Sequence, residues 1–456
     1  MTTLERPPLP PLEPALRLDD VVESRLDGGL RLIVARRATV PMVHVRLAVP
    51  LSEDALARRA ALAVLDESIT AGTERLDRSA LAAEVQRLGG QLSLEIGRDR
   101  ALLRASSLAE HLGTLLELVA ELLTQAAYPP DAVRGDRRRV AEEIVLARSE
   151  PAVLAAEALD RHLHRGHPYR LGLPNPGAVR RVHAGELRAL HHEILARPEA
   201  AVAVVVGDVE PAMGADLVAS ALAPWLSTVA KAGSEPEPLP GPLPPPPAGP
   251  TVLVARPGAL QSNIRLAGLA PSRRDPDWPA GALANLAFGG LFSSRLVENL
   301  RERRGYTYSP RSSVEHFLAG SRFVVTLDVA TEVSAPALVE VAYELGRAAS
   351  TGFGEAEVAD ARRYALGSLV LSTATQAGLA GWLATLALEG LDPGYLSRYA
   401  QALVSCDDQA VSAAARRLLA PAGLVTVVLG DPAIEGPLGT LGPVRCAAGP
   451  VRRAAG

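Results

Sequence analysis

A chain of 456 residues, 48% of them hydrophobic, is long enough for two to four domains with large buried cores. Its formal net charge of −4, its 4% aromatic content and the scatter of its Lys and Arg residues exclude a basic, stacking surface for nucleic acid. No charge-free apolar run reaches the roughly eighteen residues of a membrane span, and residues 1–17 lack the basic start and apolar core of a secretory signal, so the expectation is a cytoplasmic protein with no membrane partner. The high Ala, Arg and Leu content with few Lys fits a GC-rich bacterial genome. Two cysteines, Cys406 and Cys446, are too few for a metal site, and without a secretory context a disulfide between them is not favoured.

In chain order, residues 30–49 read as two short strands, the second alternating through Val43, Val45, Leu47 and Val49. Helices are predicted over residues 54–69 and 79–88, the latter stopped by Gly89-Gly90, followed by a strand through Leu92, Leu94 and Ile96. Longer helices are predicted over 111–125 and 131–164, and an apolar strand over 201–206. The order then recurs. Strands are expected near 252–269 and 321–329, with helices near 279–303, 335–351, 355–373 and 408–419.

The recurrence is visible in the residues themselves. Val34 to Ala48 matches Val254 to Ala267 with one gap, aligning Arg46 with Arg265, and Val204-Val-Val-Gly207-Asp208 returns as Val427-Val-Leu-Gly430-Asp431. Two related lobes follow, 23–230 and 251–440, with an extension at 1–22 and a tail at 441–456. Between them, 231–250 is so rich in proline that an extended spacer is expected. Strands beside helices imply an α+β fold in each lobe, a mostly antiparallel sheet packed with helices.

The stretch from Phe288 to Pro310 concentrates the most features. Leu291, Arg295, Asn299 and Leu300 fall at helical spacing, Arg301, Arg303 and Arg304 load the last turn, and Gly305 suits the left-handed position past a helix end. A strand is expected to begin at Tyr306. Its alternation would return Tyr308 to the side of Arg301 and leave Tyr306 for packing.

Gly289-Gly290-x-x-Ser-Ser294-Arg295, followed by Leu300-Arg301-Glu-Arg-Arg-Gly305-Tyr-Thr-Tyr308-Ser, resembles the C-terminal signature of the pitrilysin, insulysin and mitochondrial processing peptidase family of zinc metallopeptidases. The resemblance extends over nearly the whole chain. It implies that Arg301 and Tyr308 contact the substrate backbone near the scissile bond, while Gly289, Gly290, Arg295 and Gly305 are structural. It also implies two lobes forming half of a clam-shell chamber.

Zinc-holding members carry His-x-x-Glu-His on the first long helix and a Glu downstream. The matching helix here reads Ala60-Ala-Leu-Ala-Val-Leu-Asp66-Glu67-Ser68, before the recognisable Gly72-Thr73. Counted back from Gly72 the histidine positions are Ala63 and Glu67; counted forward from Ala61 they are Val64 and Ser68. Glu143 matches the downstream ligand. His162, His164 and His167 are spaced so that they leave different helix faces, Gly166-His167-Pro168-Tyr169 resembles a structural turn of the family, and no Gly-x-Ser-x-Gly or phosphate loop occurs.

The resemblance therefore implies the non-zinc subunit of a two-chain member: no cofactor bound by this chain, zinc in a homologous partner carrying His-x-x-Glu-His, and a peptide as substrate. Such a chain is not a peptidase alone. The alternatives are an inert binding or assembly subunit of the same fold and a homodimeric metalloenzyme with unrecognised ligands.

Overall fold

The computed structural model describes residues 20–195, 197–229 and 238–447. Most of the expected extension, residues 196 and 230 of the first lobe, residues 231–237 of the linker and the tail beyond 447 lie outside them. Two six-stranded sheets organise the rest. The first contains β1 (Val21–Arg25), β2 (Arg31–Arg36), β3 (Met42–Pro50), β4 (Gln91–Ile96), β5 (Arg100–Leu108) and β6 (Val202–Gly207), in the order β1-β2-β6-β3-β5-β4. The second contains β7 (Thr251–Ala255), β8 (Gln261–Ala270), β9 (Arg311–Phe317), β10 (Gly320–Ala330), β11 (Val425–Gly430) and β12 (Val444–Ala447), in the order β12-β7-β11-β8-β10-β9.

Five strands of each sheet correspond in order and direction, so the repeat is structural. Arg46 on β3 lies opposite Val204 on β6, and Arg265 on β8 lies opposite Val427 on β11, which is the pairing the sequence alignment requires. Both arginines are buried, and each donates from Nη1 at 2.9 Å to the carbonyl of the residue before it. The sheets are mostly antiparallel, with β2–β6, β7–β11 and β7–β12 parallel. The outermost strands differ: β1 precedes β2 as an antiparallel partner, whereas β12 comes from the chain's end and runs parallel to β7.

Three predicted helices are broken. The helix expected over 54–69 divides into Glu53–Ala57 and Arg59–Ser68, because Arg58 leaves helical geometry at φ −89°, ψ 43°. The helix expected over 131–164 divides into Pro130–Ala147 and Pro151–Leu163, since Pro151 has no N–H to continue a helix and is suited to starting one. The helix expected over 279–303 is Trp278–Asn285, a π turn Leu286–Gly290, an extended Leu291, a short turn Arg295–Val297 and a second π segment Glu298–Arg303.

The lobes exchange cover. Helix Pro151–Leu163, from the first lobe, buries Ala155, Ala158, Leu159 and Leu163 against Val252, Val254, Val427 and Leu429 of the second sheet. Helix Gln376–Leu388, from the second lobe, lies on β3 and β6, where Val202, Val204 and Val206 join the second lobe's core. The described part of the Pro-rich segment is pinned along the seam rather than free: Leu243 N–H donates to the Ala319 carbonyl at 3.0 Å, and the Gly241 carbonyl meets His167 Nε2 at 3.0 Å. Among the described residues no single helix is long and apolar enough to cross a membrane.

Candidate active site

The helix Arg59–Ser68 places the two registers that the sequence left open on different faces. Val64 and Ser68 are buried on its inner side, where the Ser68 hydroxyl donates to Asp136 Oδ2 at 2.8 Å. Ala63 and Glu67 face outward, into a cavity of about 310 Å³ that Glu143 also lines from helix Pro130–Ala147. Of the two registers, Ala63 and Glu67 are the pair that shares this cavity with Glu143, and Asp66, three residues after Ala63, lines it too.

These side chains do not make a zinc site. Ala63 offers no donor, Glu67 is ion-paired to Arg139, and Arg139 also holds Asp136 at 2.9 Å. Among the described residues no group of three or more His, Cys, Asp or Glu converges as metal ligands. Arg59 adds a cation to the lining, its pKa pulled down by burial and by the neighbouring Arg98. Asp66 accepts from the Ile96 N–H at 2.8 Å, yet burial raises its pKa from 3.8 to about 6. Sequence reasoning passed over Arg59, Asp66 and Arg139; the signal for Asp66 lay in its place three residues after Ala63.

The second cluster surrounds the Gly289 to Pro310 stretch. Gly289 lets the chain pass β9, since a Cβ there would stand 2.7 Å from Ser312 Oγ and 3.0 Å from its backbone nitrogen. Arg295 is interior: it forms a bidentate pair with Glu357 at 2.6 and 2.7 Å and lies over the Phe353 ring at 4.5 Å. Asn299 is buried and donates to Glu340 and Glu344 at 3.0 and 2.9 Å. The turn closes on Gly305 at φ +65°, whose N–H reaches the Arg301 carbonyl at 3.1 Å, while Tyr306 N–H reaches that of Leu300 at 2.9 Å.

The expected strand at Tyr306 is absent. Pro310 is buried and has no N–H for a ladder, and β9 begins only at Arg311. Tyr306 packs against the second core while Tyr308 does not, a division that strand alternation would not give, since residues two apart share a face. Tyr308 is 89% exposed and forms no hydrogen bond among the described residues. The Arg301 guanidinium lies 4.4 Å from the centroid of Phe292, itself 72% exposed, with Glu302 at 3.2 Å. No hydrogen bond or cation–π contact joins Arg301 to Tyr308 among the described residues; Arg301 is half-buried and Tyr308 exposed, and Phe292 is a neighbour that no pattern in the sequence announced.

His167 and Tyr169 lie in the buried turn that the sequence suggested. Tyr169 donates to Asp99 Oδ2 at 2.8 Å, and its backbone N–H is accepted by His167 Nδ1 at 3.2 Å. His162 is apart from this pair, facing Arg445 at 3.1 Å.

Comparisons with known proteins agree with this anatomy. The family model described as insulinase (peptidase family M16) matches residues 64–177, and that described as peptidase M16 inactive domain matches residues 181–364. An uncharacterized zinc protease of Mycobacterium leprae is 24% identical over 412 residues, 89% of this chain and 91% of its own. A peptidase M16 inactive domain from Pseudomonas fluorescens superposes with a TM-score of 0.79 at 22% identity, over 90% of this chain and 98% of that one. A protease from Helicobacter pylori superposes at 0.80 with 17% identity, over 91% and 100%. With both lobes matched in order, the chain belongs to the peptidase M16 (insulinase) family of zinc protease relatives.

Proposed function

We propose that this chain is the non-zinc subunit of a two-chain peptidase, working in the cytoplasm against a homologous partner that carries His-x-x-Glu-His. The observation that carries the reading is Tyr308, a phenol 89% exposed and without a hydrogen-bond partner among the described residues, seven residues from an arginine held against Phe292. The cavity at Ala63 and Glu67 supports it from the other side, because Ala63 offers no donor and Glu67 is ion-paired to Arg139.

In this reading the two chains enclose a peptide in a chamber. Hydrolysis builds negative charge on the scissile carbonyl oxygen, and the Tyr308 hydroxyl donates a hydrogen bond to it. A positioned donor of that kind is worth about 3 kcal/mol. Arg301, always charged and with its plane fixed on Phe292, donates to a neighbouring substrate carbonyl and holds the backbone in register. Activated water would come from a metal held by the partner's His-x-x-Glu-His; this chain supplies orientation and the oxyanion donor.

The test is peptide cleavage by this chain mixed with a partner bearing His-x-x-Glu-His. Cleavage is expected to need both chains and to fall at least about tenfold in Tyr308→Phe and in Arg301→Ala, with the complex still forming. Variants equal to wild type, or a partner fully active alone, would instead identify an assembly subunit. Stoichiometric zinc in the isolated chain would overturn both.

A further inference from the structure

The cavity at the zinc-motif position has a counterpart in the second lobe. Arg59, Ala63, Asp66 and Glu67 line the first cavity, and the residues 219 positions later, Trp278, Ala282, Asn285 and Leu286, line a second one of about 420 Å³. The interval is the one that relates Arg46 to Arg265. On the opposing helix, Val140, Glu143, Ile144 and Ala147 recur 225 positions later as Ala365, Ser368, Leu369 and Ser372, again lining the second cavity. Ile96 of the edge strand β4 is answered by Val314 of the edge strand β9. The repeat has therefore preserved the frame of the cavity and changed its chemistry.

Each charged position of the first cavity is neutral in the second: Arg59 becomes Trp278, Asp66 becomes Asn285, Glu67 becomes Leu286 and Glu143 becomes Ser368. No carboxylate lines the second cavity. Its one guanidinium, Arg273, is paired to Glu389 and lies 5.6 Å from the Trp382 ring. In a chain with only three Trp and eight Tyr, two of the Trp and three of the Tyr line this cavity. Trp278, Tyr399 and Tyr395 stand in a parallel row with centroids 6.4 and 5.8 Å apart, and Tyr364 is 54% exposed. The Tyr395 hydroxyl is buried without a hydrogen-bond partner among the described residues, a donor whose burial costs free energy until an acceptor arrives.

We infer that this second cavity binds a neutral aromatic side chain of the peptide, with the Tyr395 hydroxyl donating to an oxygen of the same ligand. Aromatic walls recognise a ring by area and edge-to-face contact, and the lack of unbalanced charge disfavours cationic and anionic side chains alike. The inference rests on the reading of the chain as a peptide-binding subunit, and its test needs neither partner nor cleavage.

The full chain is titrated with blocked pentapeptides of alanine whose central residue is phenylalanine, leucine or alanine, and tryptophan emission is followed. Trp278 and Trp382 line the cavity, so binding reports itself. The phenylalanine peptide is expected to bind at least about tenfold more tightly than the alanine one. Ser368 is exposed on its helix, so Ser368→Phe fills the cavity without disturbing the core; it should abolish that preference at an unchanged melting temperature. Tyr395→Phe should weaken phenylalanine-peptide binding by about fivefold. Equal binding of the three peptides, or a preference that survives Ser368→Phe, would overturn the assignment. A preference seen where two-chain cleavage fails leaves the cavity standing and removes the subunit reading; the converse removes only the cavity.

Discussion

Asp66 shows what burial does to a carboxyl in the cavity that Ala63 and Glu67 also line. With its pKa raised from 3.8 to about 6, the folded chain binds the proton more tightly than the unfolded one. Its contribution is favourable at low pH and is lost as pH rises through about 4 to 6. Asp66→Asn keeps an acceptor for the Ile96 N–H and removes the charge. A two-unit shift corresponds to about 3 kcal/mol, and because the carboxyl is partly open to the cavity about 1 kcal/mol is expected. Urea midpoints should therefore rise in Asp66→Asn at pH 7.5, with most of the gain gone at pH 4. A destabilised variant at pH 7.5 would show that the charge is wanted there. The register that makes Asp66 recognisable was not legible in the sequence, because residues 60–65 are all Ala, Val or Leu and no polar stripe marks an outer face. Tyr308 was legible as a residue and misplaced as an element: alternation was counted through a strand that Pro310 delays.

At the scale of elements, two of the three breaks in predicted helices occur at prolines or glycines that were in plain view, and the third, at Arg58, has no such mark. Pro151 begins a helix instead of sitting inside one, and Gly289-Gly290 end one where β9 approaches. Two substitutions separate the reasons for glycine in the motif. Gly289→Ala brings a Cβ against Ser312 and should cost about 1–3 kcal/mol, the range for overpacking a tight interior. Gly305→Ala meets nothing within 4 Å but must hold φ +65°, so a loss of about 1 kcal/mol is expected. Denaturant midpoints of the two variants should fall in that order; equal shifts would mean that β9 yields to Gly289→Ala. Helix Gln376–Leu388 went unpredicted for a different reason. It carries only Gln, Thr and Trp among Ala, Gly and Leu, and it lies between the two lobes, so it has no polar face to give a period.

At the scale of the molecule, the repeat was legible because it survives in the residues of β2, β3, β6 and their counterparts, which are buried on both sides. The exchange of helices across the seam was not, since nothing in a helix states which sheet it covers. That exchange ties the lobes through ions as well as apolar contacts. Asp160, on helix Pro151–Leu163, is 4% exposed and pairs with Arg98 of the first lobe at 2.6 Å and with Arg322 on β10 of the second. Asp99 joins the same seam, accepting from Tyr169 and, at 2.6 Å, from the Leu318 N–H between β9 and β10. His164 beside them has its pKa lowered to about 4, first by burial and then by Arg322, so it adds no charge near neutrality. Asp160→Asn leaves two guanidinium groups facing each other without their shared anion, and breaking a buried pair of this kind costs about 3–5 kcal/mol. Because Asp160 sits on the exchanged helix, the loss should reach both lobes: calorimetry of Asp160→Asn is expected to show one transition at lower temperature. If only one lobe's transition moved and the other melted as in wild type, the exchanged helices would not couple the lobes.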